Sequence, residues 1–120
     1  MKRNYSVYIK DILQAISNVR EFTKGMTFNQ FKKDQKTISA CIRELEIIGE
    51  ATKQIPSAIR KKYPEVPWKD MAGMRDKLIH FYFGVDLGIV WKTVSERINK
   101  LEPSLKKVLN DLSKQKELFS

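Results

Sequence analysis

Apolar residues recur along this chain at three- and four-residue steps, the period of an amphipathic helix. No stretch shows the two-residue alternation of a half-buried strand. Tyr5, Tyr8, Ile12, Ala15, Ile16, Val19 and Phe22 form the first stripe and predict a helix over 5–24. Lys10, Asp11, Asn18, Arg20 and Glu21 fill much of its polar side, and Gly25 follows where a helix end favours glycine. Thr27 and Gln30 have the spacing of a capping box, which predicts a short helix over 28–33. Asp34 offers an N-cap for a long helix over 35–55, with Ile38, Cys41, Ile42, Leu45, Ile48, Gly49, Thr52 and Ile55 on one face. Gly49 inside that helix costs about 1 kcal/mol relative to Ala, a sacrifice explained by close approach of another backbone.

Proline punctuates the second half. Pro56 ends the long helix or starts the next, and 57–62 reads as one or two turns closing on Arg60, Lys61 and Lys62. Pro64 and Pro67 bracket a loop, and Pro67 suits the first turn of a helix running to about 81. Gly84 breaks that pattern. Asp86 then caps a helix over 87–100 whose stripe is Ile89, Val90, Thr93, Val94, Arg97 and Ile98. Pro103 kinks or interrupts it before a last helix over 104–113, and the QKELFS tail is expected to fray. Four main helices plus short ones, joined by short loops, predict an all-α antiparallel bundle in a single domain, 1–120.

Composition narrows the class. At 120 residues the chain can bury a core without disulfides or metal. Its formal charge of +9 raises affinity for polyanions. Cys41 is the only cysteine, which rules out an internal disulfide and fits a reducing cytoplasm. One Cys and one His do not make a structural zinc site. The first residues carry no signal-peptide core, and no apolar run is long enough for a membrane span.

The candidate chemistry lies in Pro67–Asp86, which holds the lone histidine, His80, with Arg75 five residues before it and Tyr82 two after. At about 100° per residue, Trp68, Met71, Ala72, Leu78, Ile79 and Tyr82 fall within about 60° of Arg75. Arg75 is therefore centred on the apolar face of the predicted helix. A guanidinium there must pair, with Glu46 or Glu50 as candidates, or face a second molecule. His80 falls about 140° away, beside Asp76 one turn earlier. Such an Asp can fix the imidazole tautomer and raise its pKa, which suits a general acid–base, and it equally suits a solvated surface pair. Arg75 and His80 do not converge on one ideal helix. They meet only if the helix loosens or a second subunit completes the cleft.

The string Arg75-Asp76-Lys77-Leu78-Ile79-His80-Phe81-Tyr82-Phe83-Gly84-Val85-Asp86 resembles the R-x4-H-x-Y signature of HepT-like toxins in the HEPN superfamily. The likeness extends to Tyr8–Leu13, Phe28–Asp34, Ile47–Ala51, Pro67-Trp68 and Asp86–Trp91, in the family's order. This resemblance implies a homodimer with a metal-independent endoribonuclease site, free of cofactors, in a cleft between subunits. Carried over by position, Arg75 and His80 would be catalytic, with Asp76 and Glu50 as supports. It further implies an antitoxin of the minimal nucleotidyltransferase type, which holds the toxin or transfers AMP to Tyr82. The basic runs Lys32-Lys33, Arg60–Lys62 and Lys106-Lys107 are candidate guides for RNA.

Three functions remain open on the sequence: a toxin ribonuclease, a non-catalytic helical acceptor subunit of a nucleotidyltransferase, and a nucleic-acid-binding module without cleavage. The last leaves the Arg–His–Tyr string unexplained.

Overall fold

The computed structural model of the protein describes residues 4–74, 76 and 86–119, with side chains through Lys114. Among the described residues it is all helical. In chain order the elements are α1 (Ser6–Thr23), α2 (Phe28–Lys32), α3 (Gln35–Lys53), α4 (Ser57–Lys62), α5 (Trp68–Ala72), α6 (Leu87–Lys92), a π-helical turn (Thr93–Arg97) and α7 (Ile98–Phe119). The main packing is α1 on α3, then α1 on α7 and α3 on α5. Tyr8 shares a cleft with Gln54, whereas Asn18 donates its amide to Glu44 at 3.2 Å. Position rises on α1 as it falls on α3, so the two helices are antiparallel.

The apolar stripes become the core, with one change of phase. On α1 the buried residues are Ser6, Ile9, Ile12, Ala15, Ile16 and Val19. Ile9 is fully buried, whereas Phe22, expected on the stripe, is 41% exposed. The core face is thus set by Ile9 and Ile12, and Tyr8 lies only partly buried at its edge. Gly25 holds φ of +74°, a left-handed conformation that ends α1 as expected. On α3, Ile38, Cys41, Leu45, Ile48 and Thr52 are buried as the spacing predicts. Each large apolar side chain so buried is worth about 1.5–3 kcal/mol.

Short helices need tertiary anchors, since one or two turns do not persist alone. In α2 the capping box forms in full: Thr27 accepts from the Gln30 amide at 3.2 Å, and the Gln30 side chain accepts from the Thr27 amide at 2.9 Å. Its anchor is Phe31, fully buried. Asp34 caps α3 by accepting from the Thr37 amide at 3.0 Å and the Thr37 hydroxyl at 2.7 Å. At the other end of α3, Arg60 donates through Nε to the Ile55 carbonyl (2.9 Å) and through Nη2 to the Thr52 carbonyl (2.8 Å). The Thr52 carbonyl also accepts from the Ile55 amide at 3.0 Å, and the cation complements the negative end of the helix dipole.

The C-terminal third departs from the sequence expectation. Instead of separate helices over 87–100 and 104–113, one helical rod runs from Leu87 to Phe119, through Pro103 and through the tail expected to fray. Proline removes one hydrogen bond and costs about 3 kcal/mol in a helix interior. Ile98, Leu105 and Val108, all fully buried on either side of it, offset that at about 1.5–3 kcal/mol each. Glu102, next to the proline, is clamped by Arg20 at 2.6 Å and Lys106 at 3.1 Å. Within the rod, the π-turn is dressed by side chains. Thr93 Oγ1 donates to the Ile89 carbonyl (2.9 Å), Ser95 Oγ to Trp91 (2.6 Å) and Asn99 Nδ2 to Ser95 (3.1 Å). These donors serve carbonyls where the i→i−4 ladder is disturbed.

Candidate functional site

Arg75, His80 and Tyr82 lie outside the described residues, and the structure defines the frame on both sides of them. Upstream, Pro67 caps α5 rather than occupying its first turn, and its carbonyl accepts from the Met71 amide at 3.0 Å. Trp68 and Met71 are buried, and the Trp68 indole donates to the Tyr63 carbonyl at 3.0 Å. The expected helix from Pro67 to about 81 is interrupted, because α5 ends at Ala72 with Gly73 as its cap. A single helical wheel therefore does not carry the phase of Trp68 and Met71 onto Arg75. Met74 and Asp76 are helical again, and Asp76 is exposed. Downstream, Asp86 caps α6 by accepting from the Ile89 amide at 3.1 Å, as its position predicts.

Glu50, the second expected support, is exposed on α3, with the Lys53 ammonium at 3.9 Å. It lines a cleft of about 530 Å³ between α1 and α3 together with Tyr8, Asp11, Arg43, Glu46 and Gln54. Glu46 is half-buried there. The pairing of either glutamate with Arg75, and the convergence of Arg75 with His80, involve residues outside those described.

A second cleft, about 540 Å³, lies between the two described flanks of the motif segment. Its walls are apolar, from Met71, Met74, Val90, Ile98 and Leu101, and its charged members are Asp70, Arg97 and Lys100. The sequence pattern puts Arg97 on the buried stripe, but the structure exposes it at the end of the π-turn. Lys100 carries no motif at all. The signal that locates both is the Thr93, Ser95 and Asn99 series, polar side chains able to bond back to a disturbed ladder.

The basic runs separate on inspection. Lys32 and Lys33 are exposed, and Lys32 Nζ stands 5.8 Å from the centre of the Phe28 ring. Arg60 is bonded to the end of α3, while Lys61 and Lys62 are exposed. Lys106 shares Glu102 with Arg20. Hydrogen bonds from Arg20 first, and then from Lys106, hold the Glu102 carboxyl below its ordinary pKa. Cys41 is core, as its spacing predicts, and burial pushes its thiol up to about 11. Among the described residues no three His, Cys, Asp or Glu side chains gather in a way that could hold a metal ion. Nor is any described helix long and apolar enough to cross a membrane.

Residues 12–108 match the family described as "Ribonuclease HepT-like". A Thermococcus cleftensis protein named "Probable ribonuclease HepT" is 51% identical over 108 residues, covering 90% of this chain and 98% of its own. Two Methanocaldococcus jannaschii proteins, each named "Putative RNase", are 41% and 44% identical, covering 97% and 95% of this chain and 96% and 98% of their own. No solved structure matches the chain.

Proposed function

The chain belongs to the HepT-like ribonuclease family, and from that premise we propose that it is the toxin of a toxin–antitoxin pair, acting as a metal-independent endoribonuclease in the cytoplasm. The observation that carries the reading is that the family match, over 12–108, contains the whole Arg75-x4-His80-x-Tyr82 string. In the proposed reaction the RNA's own 2′-hydroxyl attacks the adjacent phosphorus and the 5′-oxygen leaves. His80 moves the protons, since an imidazole is the one side chain with an ordinary pKa near neutrality. Arg75 supplies a fixed cation with paired donors for the charge that builds on the phosphoryl oxygens. Asp76 and Glu50 support these two.

The site forms where two copies of the chain meet, each a single HepT-like domain. That arrangement answers the failure of Arg75 and His80 to converge on one ideal helix. The antitoxin is a minimal nucleotidyltransferase that binds the toxin and transfers AMP from ATP to Tyr82. The phenolic oxygen bonds to the α-phosphorus and pyrophosphate leaves. The added bulk and negative charge stand where the RNA phosphate must sit, so RNA is repelled.

The test is expression of wild-type, Arg75→Ala and His80→Ala chains in a bacterial host, with RNA integrity and growth followed together. The expected result is cleavage and arrest by wild type only, with all three chains dimeric by sedimentation. Equal toxicity of the His80 variant, or a wild-type protein that cuts no cellular RNA, would falsify the assignment. Mass spectrometry after co-expression with a nucleotidyltransferase reads Tyr82 directly, and inhibition with Tyr82 unmodified would reduce the antitoxin's action to binding.

A further inference from the structure

Three aromatic rings run from the core to the surface where α2 packs on α6. Phe31 is fully buried. Its ring centre is 5.0 Å from that of the partly buried Trp91, with planes tilted by 43°. Trp91 in turn lies 6.4 Å from Phe28, tilted by 40°. Phe28 is 37% exposed. Both spacings fall in the range of favourable tilted aromatic pairs. The outer ring is thus backed by two others and held on a helix whose capping box is complete. A lone exposed phenylalanine needs no explanation. A rigidly backed one under a lysine ammonium is a platform.

The segment that carries it is predominantly positive. Residues 24–36 contain Lys24, Lys32, Lys33 and Lys36 against a single acid, Asp34. All four lysines are exposed, and the Asp34 carboxylate is already taken by Thr37. Lysine is depleted where proteins meet proteins, whereas grooves for single-stranded nucleic acid combine lysines with stacking aromatics.

We infer that Phe28, backed by Trp91 and flanked by Lys32, is a stacking subsite for an unpaired base of the RNA substrate. This rests on the ribonuclease reading above and adds where the strand runs. Helix α2 packs on α6, which Asp86 caps. Trp91 is five residues on from Asp86, about 7.5 Å along the axis. Covalent reach alone keeps Tyr82 within about 14 Å of Asp86. Chain connectivity therefore puts an upper limit on the distance between the platform and Tyr82, and loss of the stack should weaken binding.

The experiment titrates the protein with a short 2′-O-methyl RNA, which lacks the attacking hydroxyl and so stays intact. Of the two tryptophans, Trp68 is buried with its indole bonded, so quenching on binding reports Trp91. Phe28→Ala should weaken binding about tenfold, in the range of one lost base–aromatic stack, and Phe28→Tyr should restore it. Lys32→Gln should lower the dependence of log affinity on log salt by about one. Wild-type affinity in both Phe28→Ala and Lys32→Gln, without quenching in the parent, overturns the subsite. So does a Phe28→Ala chain that dissociates to a smaller oligomer with RNA binding intact, because the platform is then a protein contact. The two readings fail separately. A parent that binds through Phe28 yet cuts nothing loses the ribonuclease assignment alone. A parent that cuts RNA with Phe28 irrelevant loses the subsite alone.

Discussion

Replacing Arg60 separates a structural cation from a substrate-guiding one. Its guanidinium sits at the C-terminal end of α3 and makes two hydrogen bonds, 2.9 Å to the Ile55 carbonyl and 2.8 Å to the Thr52 carbonyl. Arg60 is half-buried, so the usual value for a bond from a charged donor must be discounted for solvent screening. Two such bonds, discounted, plus the interaction with the helix dipole give a loss of about 2 kcal/mol for Arg60→Ala. For a domain of this length that corresponds to a fall in melting temperature of about 8 °C. Arg60→Lys keeps the charge but loses the fork that reaches both carbonyls, and should fall about half as far. The assay is thermal unfolding by circular dichroism at one protein concentration, since the melting point of any self-associating protein moves with concentration. Salt-dependent RNA binding is measured in parallel. The expected result is two destabilised proteins with the parent's salt dependence. Unchanged melting, with a salt slope shallower by about one, would refute the capping argument and return Arg60 to the RNA.

Two further outcomes follow from the buried titratable groups. Tyr63 donates to Asp111 at 2.8 Å, tying the end of α4 to the far half of α7, and burial followed by that bond pushes its phenol up to about 12. Its folded pKa is raised, so its contribution is complete below about pH 10 and is lost as pH climbs towards 12, at about 1.4 kcal/mol per pH unit. Urea unfolding of Tyr63→Phe should accordingly show a flatter alkaline decline than the parent over that window. Cys41, fully buried with its thiol pushed up to about 11, should resist an aromatic disulfide reagent at pH 8 in the native protein. It should release one equivalent per chain in denaturant, and rapid reaction of the folded protein would contradict its place in the core.

What was legible in the sequence was local. The Thr27–Gln30 box, the Asp34 and Asp86 caps and the Gly25 stop are short-range hydrogen-bond or backbone requirements, and each formed as spelled. The stripe of α3 was legible because it is regular. Less legible was whatever depends on a distant partner. Pro103 reads as a helix end until Ile98, Leu105 and Val108 are seen anchored in the core on both sides of it. Arg60 reads as one of three cations in a run until the end of α3 is placed beneath it. A wheel drawn for one helix from Pro67 onward misses the break at Gly73, where α5 stops. Arg75, His80 and Tyr82 are legible as a string of residues; the frame on either side of them comes from long-range packing, which spacing along the chain does not encode.

The π-turn at Thr93–Arg97 has a consequence for how this chain can vary in length. A turn of that kind holds one residue more than an α-helical turn. Losing a single residue from it leaves an ordinary α-helix, with the buried faces of Leu87–Lys92 and Ile98–Phe119 still aimed at the core. The same loss between Ile98 and Leu105 would rotate everything beyond it by about 100° and turn Leu105 and Val108 away from the core. The rod that follows the motif segment in the chain therefore contains one position of slack, in a helix whose other residues are fixed in register.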